Sequence, residues 1–203
     1  MVEQASEGYN HRMDVKRLIV GISGASGTIY GIRLLEVLRE VDGIETHLIM
    51  SSAAKRTMLL ETDYSVEFAE ALADHVHRQS DIAATISSGS HQTLGMVVAP
   101  CSMKTLSGIV NSYADNLLLR AADVVLKERR KLILLPRETP LHLGHLRLLT
   151  QASEIGAIVM PPLPAFYHRP ETIRDLVDHS VNRVLDLLGI ELEEDLFRRW
   201  EGP

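Results

Sequence analysis

A three-layer α/β/α sandwich built on a mainly parallel sheet is the fold class this sequence predicts. Three observations predict it. The runs Leu18–Ile22, Thr46–Met50, Gly95–Ala99, Leu132–Leu135 and Ala157–Met160 are almost continuously apolar, as strands covered on both faces are. Stretches with helical periodicity separate them, and alternating strand and helix calls for right-handed crossovers between parallel strands. The turns that leave the strands are rich in Gly, Ser and Thr, at the edge where ligands bind in open α/β sheets.

Taken in order, residues 1–15 form a polar extension without the apolar core of a secretory leader. Strand Leu18–Ile22 then runs into Gly21-Ile-Ser-Gly-Ala-Ser-Gly27 and a helix over Thr28–Glu40. Glycines there permit close approach of an anion, and the helix start offers free N–H donors and a positive dipole end. Ser23 and Ser26 add hydroxyls suited to a phosphate. The spacing is neither the G-x-G-x-x-G of a dinucleotide site nor a P-loop, and a plain strand–helix connection would also read this way.

After the second strand, Ser51 begins a similar turn, followed by helices over Ala53–Glu61 and Ser65–Ala73. The stretch Asp74–Thr93 has no clear period and reads as a long surface connection. The third apolar run exits into Ala99-Pro-Cys-Ser-Met-Lys-Thr105, where Ser102, Lys104 and Thr105 crown a helix over Lys104–Ser112. Ser102 equally suits ordinary N-capping. Next comes a helix over Asn116–Glu128, with Arg120 and Lys127 seven apart and so on roughly one face. Arg offers phosphate a planar fork and Lys a point charge, although Lys-Glu-Arg-Arg-Lys131 also suits a solvated helix end.

Arg137 and Glu138 follow strand Leu132–Leu135 and Pro136, at the predicted ligand edge. A helix over Leu141–Ile155 carries His142 and His145, but spacing supplies no third ligand, so no metal site is expected. The last strand leaves through the stiff loop Pro161–His168, which brings Tyr167. A final helix over Glu171–Leu188 carries Arg183 and stops at Gly189. Trp200 lies in the tail.

Bulk properties bound the partners. The 203 residues, 45% hydrophobic and 24% charged, suit one globular domain over 16–203. A formal net charge of −6 argues against a broadly basic nucleic-acid surface while allowing a local phosphate clamp. No apolar run approaches a membrane span, and the single Cys101 fits a reducing, cytoplasmic setting. Cys101 has no base evident nearby in sequence and reads as structural.

Taken together, GISGASGTIYGIRLL, LLETD, PCSMKTLSGI, RAADVVLKERR, PRETPLHLGHL, MPPLPAFYHRP and NRVLDLLGI closely resemble the UbiX-type flavin prenyltransferases, from about Lys16 to Trp200. The resemblance implies a flavodoxin-like, Rossmann-related fold and a homo-oligomer, commonly a dodecamer with sites between subunits. It implies metal-free transfer of a dimethylallyl group from dimethylallyl phosphate to N5 and then C6 of reduced FMN. The product, prenylated FMN, serves UbiD-type decarboxylases of ubiquinone or aromatic-acid metabolism.

Position by position, the resemblance implies flavin contacts at Gly24, Ala25, Ser26, Ser51, Ser102, Met103, Lys104, Thr105 and Arg137. Tyr167 and Arg183 match ligands of dimethylallyl phosphate, and Trp200 an aromatic wall of the prenyl site. Arg120, Lys127 and Glu138 match phosphate-side residues that a neighbouring subunit can supply. Ser26 and Glu61 match positions of the ring-closing step, with Glu138 and Lys127 also in catalytic roles. Flavin-dependent cysteine decarboxylases share the architecture, but their PASANT-like segment is here Pro100-Cys-Ser-Met-Lys-Thr105. An aromatic-acid decarboxylase or a flavin electron carrier would have no use for the second phosphate-binding set.

Overall fold

The structure is a computed structural model and describes residues 15–200 and Gly202. The polar extension falls outside the described residues except for Val15. Six parallel strands form the sheet: β1 (Lys16–Ile22), β2 (Ile44–Met50), β3 (His75–His77), β4 (Gly95–Cys101), β5 (Lys131–Pro136) and β6 (Ile158–Val159). Their order is β3-β2-β1-β4-β5-β6. Chain direction across the sheet reverses between β1 and β4, and such a switch point opens a crevice at the strands' carboxyl ends.

Burial explains the apolar runs. In β1, β4 and β5 alternate side chains enter two separate cores, Leu18, Val20, Val97 and Ile133 on one face and Ile19, Met96, Val98 and Leu134 on the other. The first core is closed by α1 (Thr28–Leu38), α2 (Ser52–Glu61), α3 (Val66–Ala71) and α7 (Ile173–Leu188). The second is closed by α4 (Met103–Val110), α5 (Leu117–Lys127) and α6 (Leu143–Glu154). Period-2 side chains between two helical layers leave no strand face for water, which removes the polar alternation.

Between α1 and α7 lies a charged contact: Arg33 Nε donates to Asp178 Oδ1 at 2.5 Å, with both side chains largely buried. Thr172 and Asp175 form a capping box at the start of α7, and Gly189 ends it in the left-handed conformation.

The structure corrects the reading of Asp74–Thr93. That stretch contains β3 and a 3-10 turn over Thr85–Ser87, whose Ile86 is buried in the second core. Three residues reading His-Val-His carry no apolar run, so an edge strand of this length escapes hydrophobic periodicity. β6 is also shorter than Ala157–Met160, keeping two residues of ladder.

Candidate active site

The exits of β1 and β4 are fastened by one residue. Ser23 Oγ donates to the Pro100 carbonyl at 2.9 Å and accepts from the Ser102 N–H at 2.7 Å, and Ser23 N–H donates to the same carbonyl at 3.2 Å. Ser23 is 1% exposed. Its hydroxyl is therefore committed to the protein, which corrects its reading as a phosphate donor.

Three helix starts surround the switch point. At α1, Gly27 takes φ 97°, a left-handed angle that favours glycine, and its N–H donates to Glu61 Oε2 at 2.9 Å. At α2, Ser51 caps by accepting from the Ala54 N–H at 3.0 Å. At α4, Ser102 Oγ accepts from the Thr105 N–H at 3.2 Å and lies 3.0 Å from Thr105 Oγ1. The capping reading of Ser102 is thus correct, and capping leaves its residue at the cleft wall. Gly24 lies against Ala53, where a Cβ on residue 24 would meet the Ala53 Cβ at 2.4 Å.

A cleft of about 770 Å³ opens between these turns. Gly24, Ser51, Ser102, Met103, Lys104, Thr105 and Glu138 line it, so seven of the residues singled out in the sequence meet in one place. The volume suits a small-molecule ligand. The lining suits FMN in kind, with hydroxyls, helix-start N–H groups and Lys104 for a phosphate, and Met103, Leu118 and Leu119 for a ring system. Lys104 also borders an adjoining recess of about 630 Å³, where Lys55 pairs with Glu70 at 2.6 Å and Arg78 and Asp115 stand nearby.

Ala25 and Ser26 sit in the β1–α1 turn, next to Gly24 but off the cleft lining, and Arg137 is exposed immediately before Glu138. Sequence reasoning missed Gln79, Tyr113 and Asn116, which also line the cleft. Asn116 caps α5 by accepting from the Leu119 N–H at 3.2 Å, and the Gln79 carbonyl accepts from the Leu117 N–H at 2.8 Å. An Asn before the apolar run Leu117–Leu119 was a readable cap; Gln79 depends on β3 and had no local signal.

The remaining cations are elsewhere on the chain. On α5, Arg120 Nη1 lies 2.8 Å from Asp123 Oδ2 and Lys127 Nζ 2.6 Å from Glu128 Oε1. Neither lines the cleft. Seven helical residues put Lys127 about 10 Å farther along α5 than Arg120. Tyr167, Arg183 and Trp200 gather around α7 instead. Tyr167 Oη is 2.8 Å from His179 Nε2, and its ring meets Trp200 edge-on at 6.1 Å between centroids. Burial, then the neighbouring charges of His168 and Arg183, hold His179 below the usual histidine range, so its neutral ring can accept a hydrogen bond from the Tyr167 O–H. Arg183, one turn beyond His179, pairs with Asp186 Oδ2 at 2.6 Å. Trp200 is 64% exposed, leaving aromatic surface open to solvent beside Tyr167.

Cys101 is fully buried, and burial pushes its thiol up to about 12, in keeping with a structural role. His142 caps α6, its Nδ1 accepting from the Gly144 N–H at 3.0 Å. No helix among the described residues is long and apolar enough to cross a membrane.

Comparison with known proteins places this geometry among relatives. The Flavoprotein family model matches residues 6–185. The chain is 69% identical over 188 residues to the flavin prenyltransferase UbiX of Escherichia coli K12, covering 93% of this chain and all of that protein. A crystal structure of a dodecameric FMN-dependent UbiX-like decarboxylase from Escherichia coli O157:H7 is 55% identical with a TM-score of 0.88, covering 92% of this chain and all of that one. AnUbiX (PadA1), solved with FMN and dimethylallyl pyrophosphate, is 48% identical with a TM-score of 0.88, covering 92% of this chain and 98% of that one.

Proposed function

The chain belongs to the UbiX flavin prenyltransferase family, and from that premise we propose that it transfers the dimethylallyl group of dimethylallyl phosphate to reduced FMN. The observation that carries this reading is the cleft at the β1–β4 switch point, where the starts of α2 and α4 meet Gly24, Lys104 and Glu138. When bound, reduced FMN supplies N5 as the nucleophile and C6 for ring closure.

The chain's own groups do the rest. Lys104 and the Ser102–Thr105 turn hold the flavin's phosphate through a fixed charge and oriented N–H donors. Gly24, Ala25 and Ser26 let the backbone approach the ring, with Ser51 and Arg137 completing its contacts. Arg183 and Tyr167, which lie around α7 and off the lining of this cleft, would bind the allylic phosphate in the assembled oligomer and take the charge of the leaving phosphate as the allyl group passes to flavin N5. Cations aimed at a leaving phosphate stabilise the charge that develops there. The Trp200 face can stabilise positive character on the allyl group. Glu138, Ser26 and Glu61 lie near enough to the β1 and β5 exits to serve the proton movements of ring closure.

Arg120 and Lys127 lie off their own cleft, which supports their serving the cleft of a neighbouring subunit in a homo-oligomer, a dodecamer as in the solved relative. Residues 16–203 would act as one cytoplasmic domain that delivers prenylated FMN to a UbiD-type decarboxylase.

Anaerobic mixing with reduced FMN and dimethylallyl phosphate tests the reading. The expected result is inorganic phosphate release with a flavin heavier by one prenyl unit. An unchanged flavin mass would refute it; accompanying loss of carbon dioxide from an aromatic acid would indicate a decarboxylase, and reversible cycling of bound FMN a carrier.

A further inference from the structure

The β2–β3 edge carries a cluster that the prenyl-transfer reading does not use. β2 contributes Glu45 and His47, and β3 contributes His75 and His77. Parallel register sets His47 opposite both Ile19 and His75, with Glu45 opposite Arg17 and Ile49 opposite His77. Alternate residues share a face, so the two Glu-x-His and His-x-His pairs stand side by side on the face of Ile19 and Ile49. The segment between β3 and β4 brings His91 against this face.

We propose that Glu45, His47 and His75 form a binding site for a divalent cation of the Zn²⁺ class. One ligand atom from each lies within 4.8 Å of the others. His47 Nε2 is 3.1 Å and His75 Nε2 3.8 Å from the same Glu45 Oε1. Donors of a tetrahedral zinc, at metal distances of about 2.1 Å, stand about 3.4 Å apart, so the two measured separations bracket the required edge. His75, half exposed, can close the remaining gap by a side-chain rotation, while His47 is 3% exposed and fixed.

The second nitrogen of His47 is also accounted for. Nδ1 lies 2.9 Å from His77 Nε2. Without a cation, His47 Nε2 donates to the Glu45 carboxylate at 3.1 Å; binding one shifts the ring to its Nδ1–H tautomer, which donates to His77 and frees the Nε2 lone pair for the metal. Orientation of a ligating imidazole by its other ring nitrogen is the usual outer-shell arrangement of metal sites. His91 stands edge-on to His47 at 5.2 Å between centroids, and its Nε2 is buried without a hydrogen-bond partner among the described residues. Arg17 opposes the cation, since its Nε donates to Glu45 Oε1 at 2.8 Å; binding requires it to share that carboxylate. Carboxylate plus two imidazoles is a donor set for zinc and its neighbours rather than for magnesium or calcium.

The test uses the full, untagged, metal-stripped chain titrated with CoCl₂ and followed by visible absorption, with ZnCl₂ competition and thermal unfolding alongside. One Co²⁺ per chain with tetrahedral ligand-field bands is expected, displaced by Zn²⁺. His75→Ala and Glu45→Gln should each weaken binding at least about tenfold and abolish the rise in Tm with Zn²⁺, while His142→Ala changes neither. His75 is exposed enough for its variant to fold. Absence of the bands at millimolar metal, or bands of unchanged strength in both His75→Ala and Glu45→Gln, would overturn the proposal without touching prenyl transfer.

Discussion

Replacing Gly24 with Ala tests how closely the cleft depends on packing beneath it. Gly24 is outside the left-handed region, so alanine costs nothing in backbone angle. The cost is contact: the new Cβ would lie 2.4 Å from the Ala53 Cβ, against about 3.5–4.0 Å for carbons at rest. A displacement of roughly 1 Å is therefore forced on the first turn of α2. Overpacking of this kind destabilises by about 1–3 kcal/mol. Ser51, which caps that turn, lines the cleft, and a misplacement of about 1 Å can cost on the order of a hundredfold where geometry matters. FMN affinity should fall at least about tenfold, equivalent to about 1.4 kcal/mol. Ala53→Gly supplies the control. With both changes, residue 24's Cβ would next meet the Cα and carbonyl carbon of residue 53 at 3.5 Å, an ordinary contact. The double variant should recover most of the loss, less up to about 1 kcal/mol for glycine in a helix. Urea unfolding and quenching of FMN fluorescence measure the cycle. A single Gly24→Ala variant that matches the parent in both, or a double variant that loses the sum of the singles, would refute the reasoning.

Three further outcomes separate the roles. Arg183→Ala should raise the KM for dimethylallyl phosphate by roughly 10- to 100-fold, the worth of a charge-assisted hydrogen bond, while FMN titrations stay unchanged; equal loss of both ligands would contradict its assignment. Glu61→Gln keeps an oxygen that can accept the Gly27 N–H but loses the charge. It should bind FMN and accumulate singly attached prenyl-flavin, and an undiminished yield of the four-ring product by mass and absorption would reject that role. Cys101, with its thiol pushed up to about 12 by burial, should resist iodoacetamide at pH 8 in the folded protein and react promptly in urea; mass spectrometry of the alkylated chain decides.

Much of this architecture was legible because it is local. Each βα turn is written by consecutive residues, and Ser51, Ser102 and Lys104 reach the cleft simply by following their strands. β3 was hidden, since His75–His77 owes its strand state to the edge of β2 and to no pattern of its own. Ser23 was read with the wrong partner because its acceptor, Pro100, is 77 residues away. The cationic set shows a different limit. Periodicity put Arg120 and Lys127 on one side of α5, yet a helix face specifies a direction and leaves open which molecule meets it. The histidine cluster was invisible for a similar reason: Glu45 and His47 acquire His75 only through register, whereas His142 and His145, three apart in sequence, include a helix cap.

The Ser23 fastening has a consequence for how a ligand arrives. Because one hydroxyl ties the two loops across the switch point during folding, their relative position is set before any flavin is present. The entropy of ordering that part of the cradle is then absorbed in making the native state, and association should proceed in one kinetic phase without a slow closing step. Cutting this tie with Ser23→Ala would shift the ordering into the encounter itself, so capture should slow more than release quickens.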